Sequence, residues 1–270
     1  MSRNTIDIAF GYAQGYKAFQ SFGWSDIVDD TEHKVIGPGL GAISNTASGG
    51  ANRLHLLDTS GTLTVKRANP ADTGKVAVRY LDTAWRERAA VFDLAAAATA
   101  TTDVLGQTIT ARRCVAVDYI NGGNLGYVDA LIGGDLANRV STGDGLSRVA
   151  MYTTPKGQRT AMTGFGLAAQ ATRAVDLLLW YKEPGRLPKV LERFPARESL
   201  EVWALPVPRL IQSADLSAFP TVTPITEGID IFVTARRPVG SGSTADVSVY
   251  IGLLAQVNAG DPDAPGFTVY

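Results

Sequence analysis

Apolar and polar residues alternate with a period of two in short runs along most of this chain. Thr62-Leu-Thr-Val-Lys and Lys75-Val-Ala-Val-Arg-Tyr-Leu-Asp are the clearest runs of the first half. Side chains on a strand point to its two faces in turn, so each run predicts a strand with one buried face. Arg86-Glu-Arg-Ala-Ala-Val-Phe-Asp-Leu predicts another, after a turn at Asp82-Thr83. Cys114-Val-Ala-Val-Asp-Tyr-Ile reads as a buried strand from its β-branched content. Asn121-Gly-Gly-Asn then predicts a turn, from which Tyr127-Val-Asp-Ala-Leu-Ile returns. The alanine run at 95–100 favours helix on propensity alone. It is short, uncapped and followed at once by Thr101-Thr-Asp-Val-Leu-Gly, so a loop or edge strand is expected instead.

The second half repeats the pattern. Arg148-Val-Ala-Met-Tyr-Thr is expected to pair with Thr160-Ala-Met-Thr-Gly-Phe across a Pro155-Lys-Gly157 turn. Val175-Asp-Leu-Leu-Leu-Trp-Tyr is the strongest buried strand of the chain. Leu200-Glu-Val-Trp-Ala-Leu, Ile229-Asp-Ile-Phe-Val-Thr-Ala and Asp246-Val-Ser-Val-Tyr-Ile-Gly-Leu-Leu-Ala complete a regularly spaced set. Leu177, Leu179, Trp180, Val233 and Val249 are the expected core. Strands at this spacing, punctuated by Gly, Pro and Asn, predict an all-β fold: two tandem β-sandwich or jelly-roll-like domains with an aromatic N-terminal arm. The expected boundaries are 1–34 for the arm, 35–134 and 135–256 for the domains, and 257–270 for a tail. Gly133 to Gly145 reads as the connection between domains. There is no sustained heptad and no repeat of fixed period, which argues against a coiled-coil or triple β-helix shaft.

Residues 1–34 differ in character. Phe10, Tyr12, Tyr16, Phe19, Phe22 and Trp24 crowd together, interrupted by Gly11, Gly15 and Gly23. Two readings fit: a stretch packed against the following domain, or an arm docking on a neighbouring subunit. On the second reading Phe10, Tyr12, Phe19 and Trp24 are the partner-binding anchors, because large rings dominate interface energetics.

Composition narrows the function classes. Hydrophobic residues at 45% are enough for a packed core. Lysine and arginine number 25 against 26 acidic residues, a balance that predicts no extensive nucleic-acid contact. Arg86, Arg88, Arg112 and Arg113 are better explained by pairing with carboxylates between subunits. Apolar runs fall short of the roughly 18 residues a membrane helix needs, and no signal-like h-region follows Met1, so no membrane association is expected. The single cysteine, Cys114, rules out an intrachain disulfide and fits a reducing cytoplasm.

No constellation of catalytic residues emerges. His33 and His55 are far apart and, with one cysteine, make no zinc site. Gly240-Ser-Gly-Ser-Thr is a polar loop and not a nucleophile elbow. Asp26, Asp29, Asp30 and Glu32 lack EF-hand spacing and read as a solvated acidic face; Asp261 and Asp263 read the same way. Neither a metal nor a cofactor is expected. Trp180, Tyr181 and Trp203 read as core before they read as a sugar platform.

Asn69-Pro-Ala-Asp-Thr-Gly before a strand ending Tyr80-Leu-Asp, Asn121-Gly-Gly-Asn-Leu-Gly, Met151-Tyr-Thr-Thr-Pro-Lys-Gly-Gln and Pro224-Ile-Thr-Glu-Gly-Ile-Asp-Ile occur in that order over residues 35–256. This resembles a family of β-rich virion structural proteins of tailed bacteriophages. The resemblance implies a structural subunit, tail- or neck-associated or capsid-decorating, that works by assembly and has no catalytic residues. It implies other virion proteins as partners, a homo-oligomer with a trimer favoured, and a virion location after assembly in the bacterial cytoplasm. The competing expectation is a carbohydrate-binding host-attachment module using Trp203, Tyr152 or Tyr250.

Overall fold

Nearly every alternating run becomes a strand. The computed structural model describes residues 16–28, 32–37, 39–40, 43–44, 54–56, 58–120, 123–170, 175–196, 227–238 and 245–257. In chain order the strands are β1 Tyr16–Val28, β2 Lys34–Val35, β3 Ile43–Ser44, β4 Leu54–His55, β5 Gly61–Arg67 and β6 Lys75–Leu81. There follow β7 Glu87–Asp93, β8 Thr99–Ala100, β9 Thr110–Ala111, β10 Arg113–Ile120, β11 Val128–Ile132 and β12 Asp135–Val140. The last are β13 Met151–Thr153, β14 Gln158–Gln170, β15 Val175–Lys182, β16 Lys189–Ala196, β17 Asp230–Arg236 and β18 Ala245–Val257. Among the described residues there is no helix, and the fold is all-β and of sandwich type.

In the first half, sheet β10-β6-β7 faces sheet β12-β11-β5-β8. Their inner faces supply one core: Leu63 and Val65 of β5, Val76 and Val78 of β6, Phe92 of β7, Val117 of β10 and Val128 and Ala130 of β11. In the second half, sheet β1-β18-β14 faces sheet β13-β17-β15-β16. Leu177, Leu179, Val233 and Val249 meet in that core, as expected. A smaller cluster joins the halves, with Val35, Leu54, Leu56, Leu136, Val149 and Phe232.

The alternation also explains the one expected core residue that is not fully buried. β15 buries every second residue from Val175 to Leu179, and Trp180 therefore points to the other face. There it stacks on Phe232, centroids 6.1 Å apart, and its indole N–H donates to the Thr234 hydroxyl at 2.7 Å. Burial on that face is partial, and the buried Thr234 hydroxyl satisfies the indole N–H.

Several expected pairings are corrected. Tyr127 to Ile132 does not return onto β10: β10 pairs with β6, and β11 pairs with β5 and β12. The stretch 133–145, read as the link between domains, contains β12, which forms a hairpin with β11. Gly133 and Gly134, at φ of 61° and 92°, make the tight turn that only glycine adopts cheaply. The expected boundary at 134/135 thus falls inside a hairpin, and the crossing to the second core follows Val140. The strands flanking Pro155-Lys-Gly157 do not pair with each other either. β13 pairs with β17, and β14 with β18, so that turn is a corner between facing sheets.

The N-terminal stretch is corrected in part. Residues 16–28 are no detached arm: β1 pairs along its length with β18, Tyr16 opposite Gln256 and Ser25 opposite Val247. Gly23 and Ser25 turn inward, while Phe22 is 44% exposed. A β-carbon at position 23 would collide with the Ala150 backbone nitrogen, so glycine is what lets β1 cross the chain there. β16 had no expected counterpart, since Lys189, Glu192, Arg193 and Pro195 dilute its pattern. Phe10, Tyr12, Asp29, Asp30, the run Leu200–Leu205 with Trp203, the loop 240–244 and the tail from 258 lie outside the described residues.

Leu179 is 1% exposed in the middle of the second core. Leu179→Ala is expected to lower unfolding free energy by about 2–5 kcal/mol, read from urea denaturation. A loss under about half a kcal/mol would place the strand at the surface.

Candidate functional site: a groove beside a buried ion pair

The two sandwiches meet through charge. Arg113 opens β10 and Asp230 opens β17, and they are 1% and 0% exposed. The Arg113 guanidinium donates from Nε to Asp230 Oδ1 at 2.9 Å and from Nη2 to Oδ2 at 2.8 Å. The Thr153 hydroxyl donates to Oδ1 at 2.6 Å. Lys182, opposite Asp230 on β15, reaches the Asp58 carboxylate at 2.5 Å, and Asp58 also lies 3.8 Å from Arg113 Nη2. Two cations thus meet two carboxylates. Desolvating charge is costly, and this arrangement offsets the cost with a bidentate fork and further hydrogen bonds.

The turn at 82–86 completes the junction. The Asp82 carboxylate accepts the backbone N–H groups of Ala84 and Arg86 at 2.8 and 2.9 Å. Trp85 is held at φ 62°, a left-handed conformation uncommon for a bulky residue. That places its ring under the guanidiniums of Arg112 and Arg113, 5.1 and 5.5 Å from its centroid. Its carbonyl accepts the Lys156 N–H at 2.7 Å. A turn of the first sandwich is thereby pinned to the Pro155-Lys-Gly157 corner of the second.

Beside this junction a groove of about 390 Å³ runs between the sandwiches. Phe22 of β1 and Leu146 of the connecting segment present apolar surface to it, 44% and 49% exposed. Arg79 and Arg148 also line it. Arg79 pairs with Glu87 at 3.3 Å at the surface, and Arg148 with Asp144 at 3.7 Å, both half-buried. Tyr152 lies buried among the lining residues, its hydroxyl 3.3 Å from the Thr160 hydroxyl, and burial raises its phenol above the ordinary value of 10.0. Of the serines in the lining, Ser21 donates to the Met151 carbonyl at 2.9 Å and Ser147 accepts the Val117 N–H at 3.0 Å. Chemically, the groove offers apolar contact and two guanidiniums: it suits an extended segment bearing carboxylates.

The residues expected to bind partners are placed differently. Phe19 lies on β1 opposite Leu253, and Trp24 is half-buried opposite Ser248, its backbone N–H donating to the Arg148 carbonyl at 3.2 Å. Trp24 is not among the residues that line the groove, and the side chain of Phe19 lies outside the described residues. Phe22, from the same aromatic stretch, is the ring that faces it. The basic group expected to pair between subunits is engaged within the chain: Arg113 with Asp230, Arg112 with the Thr83 carbonyl at 2.9 Å, and Arg88 with Asp82 at 3.4 Å. Arg113 and Asp230 were missed as a pair. The available signal was a carboxylate inside Ile229-Asp-Ile-Phe, because a charge in a buried strand needs a partner.

Other candidates have structural settings. Tyr152 is buried, so it is no sugar platform, and Tyr250 is half-buried. Cys114 is 1% exposed, and burial pushes its thiol up to about 12, far from a reactive thiolate. His33 lies 3.5 Å from Asp176, and His55 lies 3.4 Å from Asp135. Among the described residues no group of His, Cys, Asp and Glu is arranged to hold a metal.

No protein-family model matches the chain, and no curated protein matches it. Among solved structures, that of the infectious bursal disease virus Gx strain aligns at 14% identity over 91% of this chain and 73% of the other, with a TM-score of 0.19. The Gt strain of the same virus aligns at 13% identity over 93% and 75%, with a TM-score of 0.18. Scores this low do not describe a shared backbone.

Two outcomes are expected. Asp230→Asn leaves the Arg113 charge buried without its counter-ion and should cost about 3–5 kcal/mol. Arg113→Met combined with Asp230→Leu should recover much of that loss, and a thermal-denaturation mutant cycle measures the coupling. The second concerns pH. Burial lowers His55 below its ordinary 6.5, helped by the Arg113 charge, and burial likewise lowers His33. Below pH 6.5 the unfolded chain therefore binds protons that the folded chain refuses. The histidine contribution is complete above pH 6.5 and is lost as pH falls beneath it. Melting temperatures should fall from pH 7 to pH 5, and His55→Gln should flatten that slope.

Proposed function

We propose that this chain is a structural subunit of a virion, acting by assembly without turnover. The observation that carries the reading is sheet β1-β18-β14, whose edge strand β14 is 13 residues long and has no strand on its outer side among the described residues. Open edges of that length are templates for another chain. Its sequence, Gln158-Arg-Thr-Ala-Met-Thr-Gly-Phe-Gly-Leu-Ala-Ala-Gln, carries one charge, so electrostatic protection of the edge is slight. The buried junction supports the same reading, since a subunit that transmits load needs its halves held in one orientation. The resemblance to tailed-phage structural proteins adds the setting: a tail, neck or capsid-surface position, other virion proteins as partners and a homo-oligomer with a trimer favoured; the balanced charge and short apolar runs speak against nucleic acid or a membrane as principal contact.

Mass spectrometry of purified particles is expected to find the chain at a fixed copy number. Sedimentation of the isolated chain at micromolar concentration is expected to show a closed oligomer. Absence from particles would sink the reading, and a stable monomer would sink its self-assembly component.

A further inference from the structure

A turn and the groove are complementary, and both belong to this chain. We propose that the turn Asp103 to Gly106 of one copy docks into the groove of a second copy. Leu105 and Val104 then lie against Phe22 and Leu146, and the Asp103 carboxylate faces Arg79 and Arg148. This deepens the assembly reading by naming one of its contacts, and it rests on that reading's self-association.

The groove asks for apolar surface and negative charge together. Phe22 and Leu146 are 44% and 49% exposed in its lining, and the Arg79 and Arg148 side chains are 55% and 42% exposed. Arg79 reaches Glu87 through Nη1, and Arg148 reaches Asp144 through Nη2. A guanidinium is a fork of several N–H donors, so each can take a second carboxylate.

Among the described residues three leucines are more than half exposed: Leu105 at 76%, Leu187 at 75% and Leu125 at 61%. Leu187 stands between Arg186 and Lys189, whose charge has the sign of the groove's own arginines. Leu125 has no charged residue beside it from Asn121 to Val128. Leu105 combines a second exposed apolar neighbour, Val104 at 48%, with the Asp103 carboxylate, and no Lys or Arg occurs between Arg88 and Arg112. The chemistry that an acidic extended segment would bring is here presented by a turn.

That turn is already ordered. The Asp103 N–H donates to the Gln107 carbonyl at 3.0 Å, and the Gly106 N–H donates to the Asp103 carbonyl at 2.9 Å. Asp103 Oδ1 accepts the N–H groups of Leu105 and Gln107 at 2.9 and 2.8 Å. Gly106 closes the turn at φ 75°. Docking therefore costs little conformational entropy. The Val104 N–H also donates to the Val91 carbonyl at 2.8 Å, which ties the turn to β7, the edge strand of its sheet. Glu87, which lines the groove, is four residues away on β7, roughly 13 Å at strand spacing. Entering the groove of its own copy would break that tie, whereas a second copy meets the turn as it stands.

The test uses the full chain with a photoreactive benzoylphenylalanine replacing Leu105, in isotopically heavy and light copies mixed and equilibrated. The same probe at Leu187 sets the background. Irradiation followed by mass spectrometry is expected to give heavy–light adducts to Phe22 and to residues 146–149, clearly above that background. In sedimentation, Leu105→Asp should weaken self-association about tenfold or more, as loss of an interface anchor does, while Leu187→Asp leaves it unchanged. Asp103→Asn keeps an oxygen for the turn and removes the charge, so it should reduce the salt dependence of association. An oligomer that persists with adducts confined to one copy, adducts elsewhere or none above background would overturn the proposal and leave the assembly reading standing. A wild-type chain that stays monomeric would sink the proposal together with the self-association on which it rests.

Discussion

Asp230 and Arg113 lie 117 residues apart in the chain, and both are withdrawn from water. Neither charge is tolerable alone at that depth, so each sandwich is chemically incomplete without the other. The fork geometry of a guanidinium on a carboxylate also fixes direction, which an apolar interface does only loosely. Around that pair the rest falls into place: Thr153 is drawn to the same carboxylate, Lys182 and Asp58 balance the charge, and Trp85 is held in a left-handed turn beneath two guanidiniums. The groove lies beside that junction, between the two sandwiches.

Much of the fold was legible in the chain itself. β5, β6, β7, β10, β15, β17 and β18 all announced themselves by alternation or by apolar runs, because half-buried and fully buried strands leave those signatures. The alanine run at 95–100 was read against its helical propensity, and β8 emerged from it. What alternation does not carry is the choice of neighbour. β11 and β14 were read correctly as strands, yet each leaves its predecessor to join another sheet, a decision made by packing between distant segments. β12 was hidden because its buried positions include Asn138 and Arg139, and the burial of Arg139 depends on its partner Asp129.

The site was less legible than the fold. Its aromatic component was sensed in the crowding near the N-terminus, but strand register decides which ring faces outward. On β1 that register turns Gly23 and Ser25 inward and leaves Phe22 exposed. The ion pair could be suspected from one lone carboxylate in an apolar strand. Its partner was invisible among 25 basic residues without the topology that brings β10 to β17.

The pairing of β1 with β18 bears on how the protein is made. The first strand of the second sandwich is synthesised before any of the first sandwich, and its hydrogen-bonding partner emerges roughly 230 residues later. At ribosomal speeds of about 5–20 residues per second, that is a wait of about 12–46 s. The first sandwich draws its core from one continuous stretch, Leu63 to Val140, and is free to form during that interval. The second is discontinuous and rich in long-range pairings, the kind that form slowly. Synthesis therefore imposes an order, with the inserted sandwich first and the enclosing one last, and β1 spends the interval as an unpaired aromatic strand in need of protection from premature association.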